Sequence, residues 1–328
     1  MAKILVTGGA GYIGSHTALA LNEAGYETVV YDNLSTGIAK AVHEPARLVV
    51  GDLSDLSELD RLMARERFTG IIHFAASIVV PESVARPLFY YRNNTVNTAH
   101  LVELAIKHEI PNFVFSSTAA VYGMPETIPV TEQSPVSPIN PYGRSKLMDE
   151  WIIEDAARAH PGFKHITLRY FNVAGGDPKG RVGQSTPEAT HLIKVACQTS
   201  LGLRKDISVF GTDFDTPDGT GVRDYIHVSD LADVHLLALD HLEKGNPSMT
   251  LNCGYGHGYT VREIIGTVKQ VSGVDFKTVE TDRRPGDPAS LVADSSCLRK
   301  EFAWKPKYDD IETIVKTALD WERKLHES

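Results

Sequence analysis

Short apolar, β-branched runs recur through the first half of the chain, at 3–7, 28–32, 47–51, 70–75, 113–117 and 166–170. Most are nearly continuous in hydrophobicity, the pattern of strands covered on both faces in a parallel sheet. Between them, helix-like stretches run near 13–24, 55–67, 88–108 and 142–159. Such alternation predicts an α/β fold with a doubly wound parallel sheet. From about Gly175 the texture changes. Asp177-Pro178-Lys179-Gly180 and the stretch 212–221 are rich in turn formers, and the alternation weakens. Residues 1–174 are therefore expected to form a first domain. Residues 175–328 are expected to form mainly a second, smaller α/β domain, with segments near 225–254 returning to the first.

Charge changes the picture next. The chain has 328 residues and a net charge of −9, which argues against a general nucleic-acid or membrane-surface role. An anionic ligand would have to be held by local donors. Cys197, Cys253 and Cys297 are scattered and form no CxxC pair. They read as reduced thiols in a cytoplasmic protein. The first strand runs straight into a glycine-rich turn, which leaves no room for a signal peptide. No apolar run reaches the ~20 residues of a membrane helix. His73, His191 and His227 lack ligand spacing such as HExxH, so no metal is expected.

The turn itself, Gly8-Gly9-Ala10-Gly11-Tyr12-Ile13-Gly14, follows a strand and opens a helix. In that context Gly8, Gly11 and Gly14 fit a dinucleotide site. Glycine permits the tight turn, the approach of backbone to pyrophosphate, and close helix–sheet packing, while the helix N-terminus faces the phosphates. The spacing is GxxGxxG. Asp32 ends the second strand, 18 residues after Gly14, where a carboxylate would bond the adenosine ribose and repel a 2′-phosphate. NAD is thus expected over NADP. Asp52-Leu53 would lie near the adenine.

The chemistry points to Tyr142 and Lys146, at i and i+4 on one helical face. A lysine ammonium there favours the phenolate and is expected to lower the tyrosine pKa from ~10, which makes it a usable acid/base. Thr118, 24 positions upstream of Tyr142, could bond a substrate oxygen or pass the proton on. Taken singly, Thr118 is better explained as a polar strand end, and Tyr142 as a packed helix-start aromatic. Their order after a nucleotide turn favours hydride chemistry on an alcohol or ketone.

Along nearly its whole length the chain resembles the extended short-chain dehydrogenase/reductase family, and within it the sugar-nucleotide epimerases. The marks are GGAGYIGSH (8–16), YDNL (31–34), GDL (51–53), HFAA (73–76), YYRNN (90–94), FSSTAAVYG (115–123), PYGRSK (141–146), LRYFNVAG (168–175), GTGVRDYIHVSDLA (219–232) and RRPGD (283–287). The resemblance implies a Rossmann domain that holds NAD tightly and a C-terminal domain for a UDP-sugar. It further implies reversible inversion at sugar carbon 4, between UDP-glucose and UDP-galactose, with Tyr142 moving the proton. Cofactor contacts would also include Tyr12, Ile13, Asn33, Phe74, Ala75, Ala76, Asn94, Ser116 and Tyr170, beside Tyr142 and Lys146. Substrate contacts would be Thr118, Tyr142, Asn172, His191, Leu192, Phe210, Arg223, Arg284 and Asp287. Arg223 and Arg284 would clamp the diphosphate, with one of Arg283 and Arg284 a plain surface residue. A homodimer through the helices near 88–108 and 142–159 is also implied.

Three positions depart from common family patterns or sharpen them. Related dehydratases place an acid and a base after the threonine, and this chain has Ala119-Ala120, which favours epimerisation over elimination. Ser77-Ile78 stands where many members have Leu-Lys, so a lysine contact to the cofactor is missing. Leu291 stands where tyrosine or a smaller residue sets the room for an N-acetyl group, which leaves UDP-N-acetylhexosamines and UDP-pentoses open. A nucleotide-sugar oxidoreductase or dehydratase is the alternative enzyme, and a non-catalytic NAD-binding regulator the alternative class.

Overall fold

The computed structural model describes residues 2–186, 190–284 and 286–327. In chain order the main elements are β1 (Lys3–Thr7), α1 (Tyr12–Glu23), β2 (Glu27–Asp32), β3 (Arg47–Val50), α2 (Leu56–Glu66), β4 (Gly70–His73), α3 (Val80–Ala85), α4 (Pro87–Tyr90), α5 (Asn97–Lys107), β5 (Asn112–Thr118), α6 (Pro141–Ala159), β6 (Lys164–Tyr170), β7 (Asn172–Ala174), α7 (Leu192–Ser200), β8 (Ile207–Phe210), β9 (Val222–Arg223), β10 (Tyr225–His227), α8 (Val228–Glu243), β11 (Met249–Cys253), β12 (Tyr259–Thr260), α9 (Val261–Ser272), β13 (Thr278–Thr281), β14 (Ser290–Leu291), α10 (Ser296–Phe302) and α11 (Ile311–Glu327).

The expected doubly wound sheet is present. Seven strands lie in the order β11-β6-β5-β4-β1-β2-β3. The pairs β1–β2, β1–β4, β2–β3 and β4–β5 are parallel, with Thr7 opposite both Tyr31 and His73. The order reverses direction at β1, where β2 lies on one side and β4 on the other. Loops leaving these two strand ends diverge, and ligands bind such sheets there. A core of Leu5, Val29, Ile71, Phe113 and Phe115 from the strands packs on Leu59, Leu62, Met63, Leu101 and Ile153 from the helices. Those strand residues are the continuous apolar runs of the sequence, now covered by helices.

The chain divides into two compact units, each made of three chain segments. The first unit comprises Met1–Gly123, Pro135–Arg169 and Ala232–Leu251, and the second Met124–Ser134, Tyr170–Leu231 and Asn252–Ser328. Within the second unit, small sheets pair β10 with β7, β13 with β8, and β12-β9-β14. Helix α9 is fixed there by a capping box, in which Thr260 and Glu263 satisfy each other's backbone N–H groups.

The helix expected over 88–108 is interrupted. Tyr91–Val96 is a π-helical turn between α4 and α5. The Asn94 side chain explains the distortion. It accepts from the Ser77 N–H at 2.8 Å and donates to the Ser77 carbonyl and the Ser145 hydroxyl, each at 3.0 Å. The widened turn lets one buried amide bridge the segment after β4 to α6. Among the described residues no helix is long and apolar enough to cross a membrane.

Candidate functional site

The glycine turn lies between β1 and α1 as the sequence requires. Gly8 has φ of +70°, and a Cβ there would stand 2.6 Å from the Ala75 backbone nitrogen. At Gly14 a Cβ would collide with the Gly8 carbonyl. Helix α1 starts at Tyr12 with Gly11 as its N-cap residue and no side-chain cap. Its N-terminus, which carries a partial positive charge, is therefore not covered by a side chain of the cap residue. Asp32 is buried at the end of β2, its carboxylate accepting from the Ala10 and Leu34 N–H groups at 2.9 and 2.8 Å. Asn33 donates to Asp52 at 2.7 Å, which aligns the loops after β2 and β3, and Leu53 is buried behind them. Phe74, Ala75 and Ala76 follow β4, where the Phe74 ring packs on His235. A bare glycine cradle, an uncapped helix start and a strand-end carboxylate fit an adenine dinucleotide.

At the end of β5 stand Ser116, Ser117 and Thr118, followed by a 3₁₀ turn at Ala119–Tyr122. Thr118 caps that turn, accepting from the Ala120 N–H at 3.2 Å. Helix α6 begins beside it. Asn140 caps its first turn by accepting from the Gly143 N–H at 2.8 Å, and Pro141 opens the helix. Gly143 permits the contact, since a Cβ there would lie 2.8 Å from the Ala120 carbonyl oxygen. In this way Tyr142 comes into hydrogen-bonding reach of the Thr118 hydroxyl. Lys146, one turn on and buried, holds its ammonium 4.3 Å from the Phe115 ring centroid.

The electrostatics differ from the sequence expectation. Tyr142 is not lowered but pushed up to about 12, because burial disfavours the phenolate. The Thr118 hydrogen bond opposes that shift and the Asp149 charge adds to it. Lys146 is itself pushed down to about 8 by burial, against Asp149 and Glu150, which favour its charge. In the protein alone, desolvation outweighs the pairing that the i, i+4 spacing suggested.

Three buried groups that the sequence reading did not single out brace this arrangement. Arg169 on β6 donates to Glu150 on α6 at 3.0 and 2.6 Å, and to the Tyr122 hydroxyl at 2.9 Å. Glu150 also accepts from the Ser117 hydroxyl, next to Thr118. Their only signal in the sequence was an acid eight residues after Tyr142. His73, by contrast, bridges the hydroxyls of Thr7 on β1 and Thr98 on α5 at 2.7 and 2.9 Å, with burial holding its pKa well down. Among the described residues no cluster of His, Cys, Asp or Glu is placed to hold a metal.

The remaining candidates lie in the second unit. Tyr170 ends β6 and is buried. Asn172 on β7 is opposite Tyr225 on β10 and hydrogen-bonds to its phenol. His191 precedes α7, its Nδ1 2.8 Å from Gln184 Nε2, and Leu192 is the first residue of that helix. The Arg284 guanidinium lies 3.7 Å over the Phe210 ring, while Arg283 is tied to Asp213 at 2.7 Å. Of the two, Arg283 is thus the one with a surface partner. Arg223 sits between Tyr259 on β12 and Leu291 on β14. Burial lowers its pKa, and the nearby Asp287 charge opposes this.

The model of the NAD dependent epimerase/dehydratase family matches residues 4–254. A UDP-glucose 4-epimerase of Azospirillum brasilense is 55% identical over 326 residues, 99% of this chain and 93% of that protein. Among solved structures, the UDP-Glc/GlcNAc 4-epimerase of Campylobacter jejuni is 51% identical with a TM-score of 0.87, covering 99% of this chain and 100% of that one. A UDP-glucose 4-epimerase of Bifidobacterium longum, solved with NAD+ and UDP, is 38% identical with a TM-score of 0.94, covering 98% of each chain.

Proposed function

The chain belongs to the NAD dependent epimerase/dehydratase family, and from that premise we propose that it is an NAD-dependent UDP-sugar 4-epimerase that interconverts UDP-glucose and UDP-galactose. One observation carries the reading: Thr118, Tyr142 and Lys146 converge at the end of β5, and the positions that would supply elimination chemistry are Ala119 and Ala120. A dehydratase needs an acid and a base there. The full-length likeness to UDP-glucose 4-epimerases supports the same conclusion.

Bound at the glycine turn, NAD would supply the hydride acceptor that makes carbon 4 a ketone and returns hydride to its other face. Gly8, Gly11, Tyr12, Ile13 and Gly14 would hold its pyrophosphate, Asp32 its ribose, and Asn33, Asp52 and Leu53 its adenine end. Tyr142 takes the proton of the sugar 4-hydroxyl and gives it back. Thr118 orients that hydroxyl, and Lys146 supplies positive charge that favours the phenolate. Phe74, Ala75, Ala76, Ser116 and Tyr170 would shape the cofactor site, and Asn94 braces it through Ser77 and Ser145. In the second unit Arg223 and Arg284 would bind the diphosphate, which meets the demand for local cations in a chain of net charge −9. Asn172, His191, Leu192, Phe210 and Asp287 would hold the nucleoside end.

Substrate range has a second reading. Leu291, paired with Arg223, is intermediate in size, and the Campylobacter jejuni relative is named for both glucose and N-acetylglucosamine forms. We therefore propose that UDP-N-acetylglucosamine is also accepted. A homodimer is supported by exposed apolar side chains on α3, α4, α6 and the π-helical turn: Val84, Leu88, Val96, Met148 and Trp151. A cytoplasmic location agrees with the three free cysteines.

The decisive experiment supplies UDP-galactose to purified protein without added NAD. UDP-glucose should accumulate. Free NADH without UDP-glucose would instead identify a net oxidoreductase. UDP-N-acetylglucosamine in a parallel assay resolves the substrate range, and light scattering at micromolar concentration resolves the dimer.

A further inference from the structure

Asp149 stands one turn past Lys146 and two turns past Tyr142, at i+7 on the same face of α6. It is fully buried, and neither carboxylate oxygen is placed in a well-formed hydrogen bond, the Thr95 side chain being the polar group that acts on it. Buried carboxylates are ordinarily paired or hydrogen-bonded, because an isolated charge in protein is costly. Its neighbour Glu150 obeys that rule through Arg169 and Ser117. Asp149 is the acid on this helix that does not.

Charged and titratable groups linked to Asp149, Lys146 or Tyr142 come from several elements. On α6 they are Tyr142, Lys146 and Glu150. From the π-helical turn the Thr95 side chain favours its ionised form. From β6, Arg169 is committed to Glu150. From β4, buried His73 feels the Lys146 charge. From α4, Tyr90 binds Glu82 and feels Tyr142. From β5, the Phe115 ring covers the Lys146 ammonium. Asp149 is the larger of the two carboxylate charges acting on Lys146, ahead of the Arg169-paired Glu150, and it is the carboxylate that acts on Tyr142.

We propose that Asp149 is a positioning residue for the reaction, a buried acid kept out of any ion pair so that its charge state sets when Lys146 loses its proton and how readily Tyr142 becomes a phenolate. This rests on the epimerase reading. Burial raises the Asp149 carboxyl to about 7, so its charge switches within the working pH range. Ionised, it favours the Lys146 ammonium and opposes the Tyr142 phenolate. Protonated, it leaves both to their other neighbours. Removal of the charge should therefore make Lys146 lose its proton at lower pH.

The test is the pH dependence of kcat for the wild-type enzyme, Asp149→Asn and Asp149→Val, which remove the charge with polar and apolar side chains of similar size. Below neutrality, where Asp149 is protonated, the normalised profiles should overlay. Above it, the alkaline limb of both variants should fall about one pH unit lower, the order of shift a nearby charge produces. A purely structural Asp149 would lower kcat or the melting temperature with no displacement of the limb, and that result in either folded variant overturns the proposal. If the wild type itself does not epimerise UDP-galactose, it is the functional reading that falls.

Discussion

Arg169 grips Glu150 in a two-point, buried ion pair, with nitrogen–oxygen distances of 3.0 and 2.6 Å, and the same carboxylate holds Ser117, the residue before Thr118. The pair thus links β6, α6 and β5 at the end of the sheet where Thr118 and Tyr142 meet. Removal of one partner leaves the other charge buried without compensation. Glu150→Ala should therefore destabilise the fold by about 3–5 kcal/mol, read as a lower midpoint in urea. Replacement of both partners with apolar residues should cost less than the sum of the single changes.

Gly143 is what lets α6 begin against the 3₁₀ turn. A methyl group there would stand 2.8 Å from the Ala120 carbonyl oxygen and 3.0 Å from the Pro138 Cβ. Both are closer than ordinary van der Waals contact, so the helix start must move. Gly143→Ala should displace Tyr142 from Thr118 and lower kcat on the order of 10²-fold. Circular dichroism should remain that of the folded protein, because the displacement is confined to the first turn of α6.

The sheet was legible because its strands are nearly continuous apolar runs, the pattern of strands covered on both faces. The glycine turn, Asp32, and the Tyr142–Lys146 spacing were legible because each has a local signature. The π-helical turn was not, since its cause is Asn94 reaching Ser77 and Ser145, 17 and 51 residues away. Asp149 and Glu150 carry no local signature in the sequence. Only the packing of α6 against β5 and the neighbouring helices shows that they are interior. The Tyr142 pKa was misjudged for the same reason, as spacing reports the nearby lysine but not the surrounding desolvation.

Tyr142 carries the proton in the proposed reaction. Tyr142→Phe keeps the ring and removes the hydroxyl. Turnover of UDP-galactose should drop by about 10²–10⁴-fold, the range for loss of a positioned acid/base. NAD that copurifies with the protein should remain, measured by its absorbance after denaturation. Unchanged turnover would remove Tyr142 from the chemistry.

Among the described residues the Arg223 guanidinium forms no ion pair, and its Nη1 donates to the Val222 carbonyl at 2.8 Å. Its charge is available to a diphosphate. Arg223→Ala should raise KM for UDP-galactose about 10- to 100-fold, equivalent to a charge-assisted hydrogen bond of ~1.5–3 kcal/mol. The kcat should change little, since the contact is equally present in ground and transition states. Arg283→Ala, which breaks the exposed pair with Asp213, should leave KM near the wild-type value.

The buried Asp149 makes stability depend on pH in an unusual direction. Its carboxyl lies near 7 in the folded protein and at its ordinary value, ~4, in the unfolded chain. Between those values the folded state keeps a proton that the unfolded state has released. Stability contributed by this group therefore falls as pH rises from about 4 to 7, by up to ~1.4 kcal/mol per pH unit. Carboxylates held in native ion pairs have the opposite dependence, so the contribution must be isolated by difference. The melting temperature of Asp149→Asn relative to wild type should rise from pH 5 to about pH 7 and level off above it. A constant difference across that range would mean that Asp149 does not change its charge on unfolding.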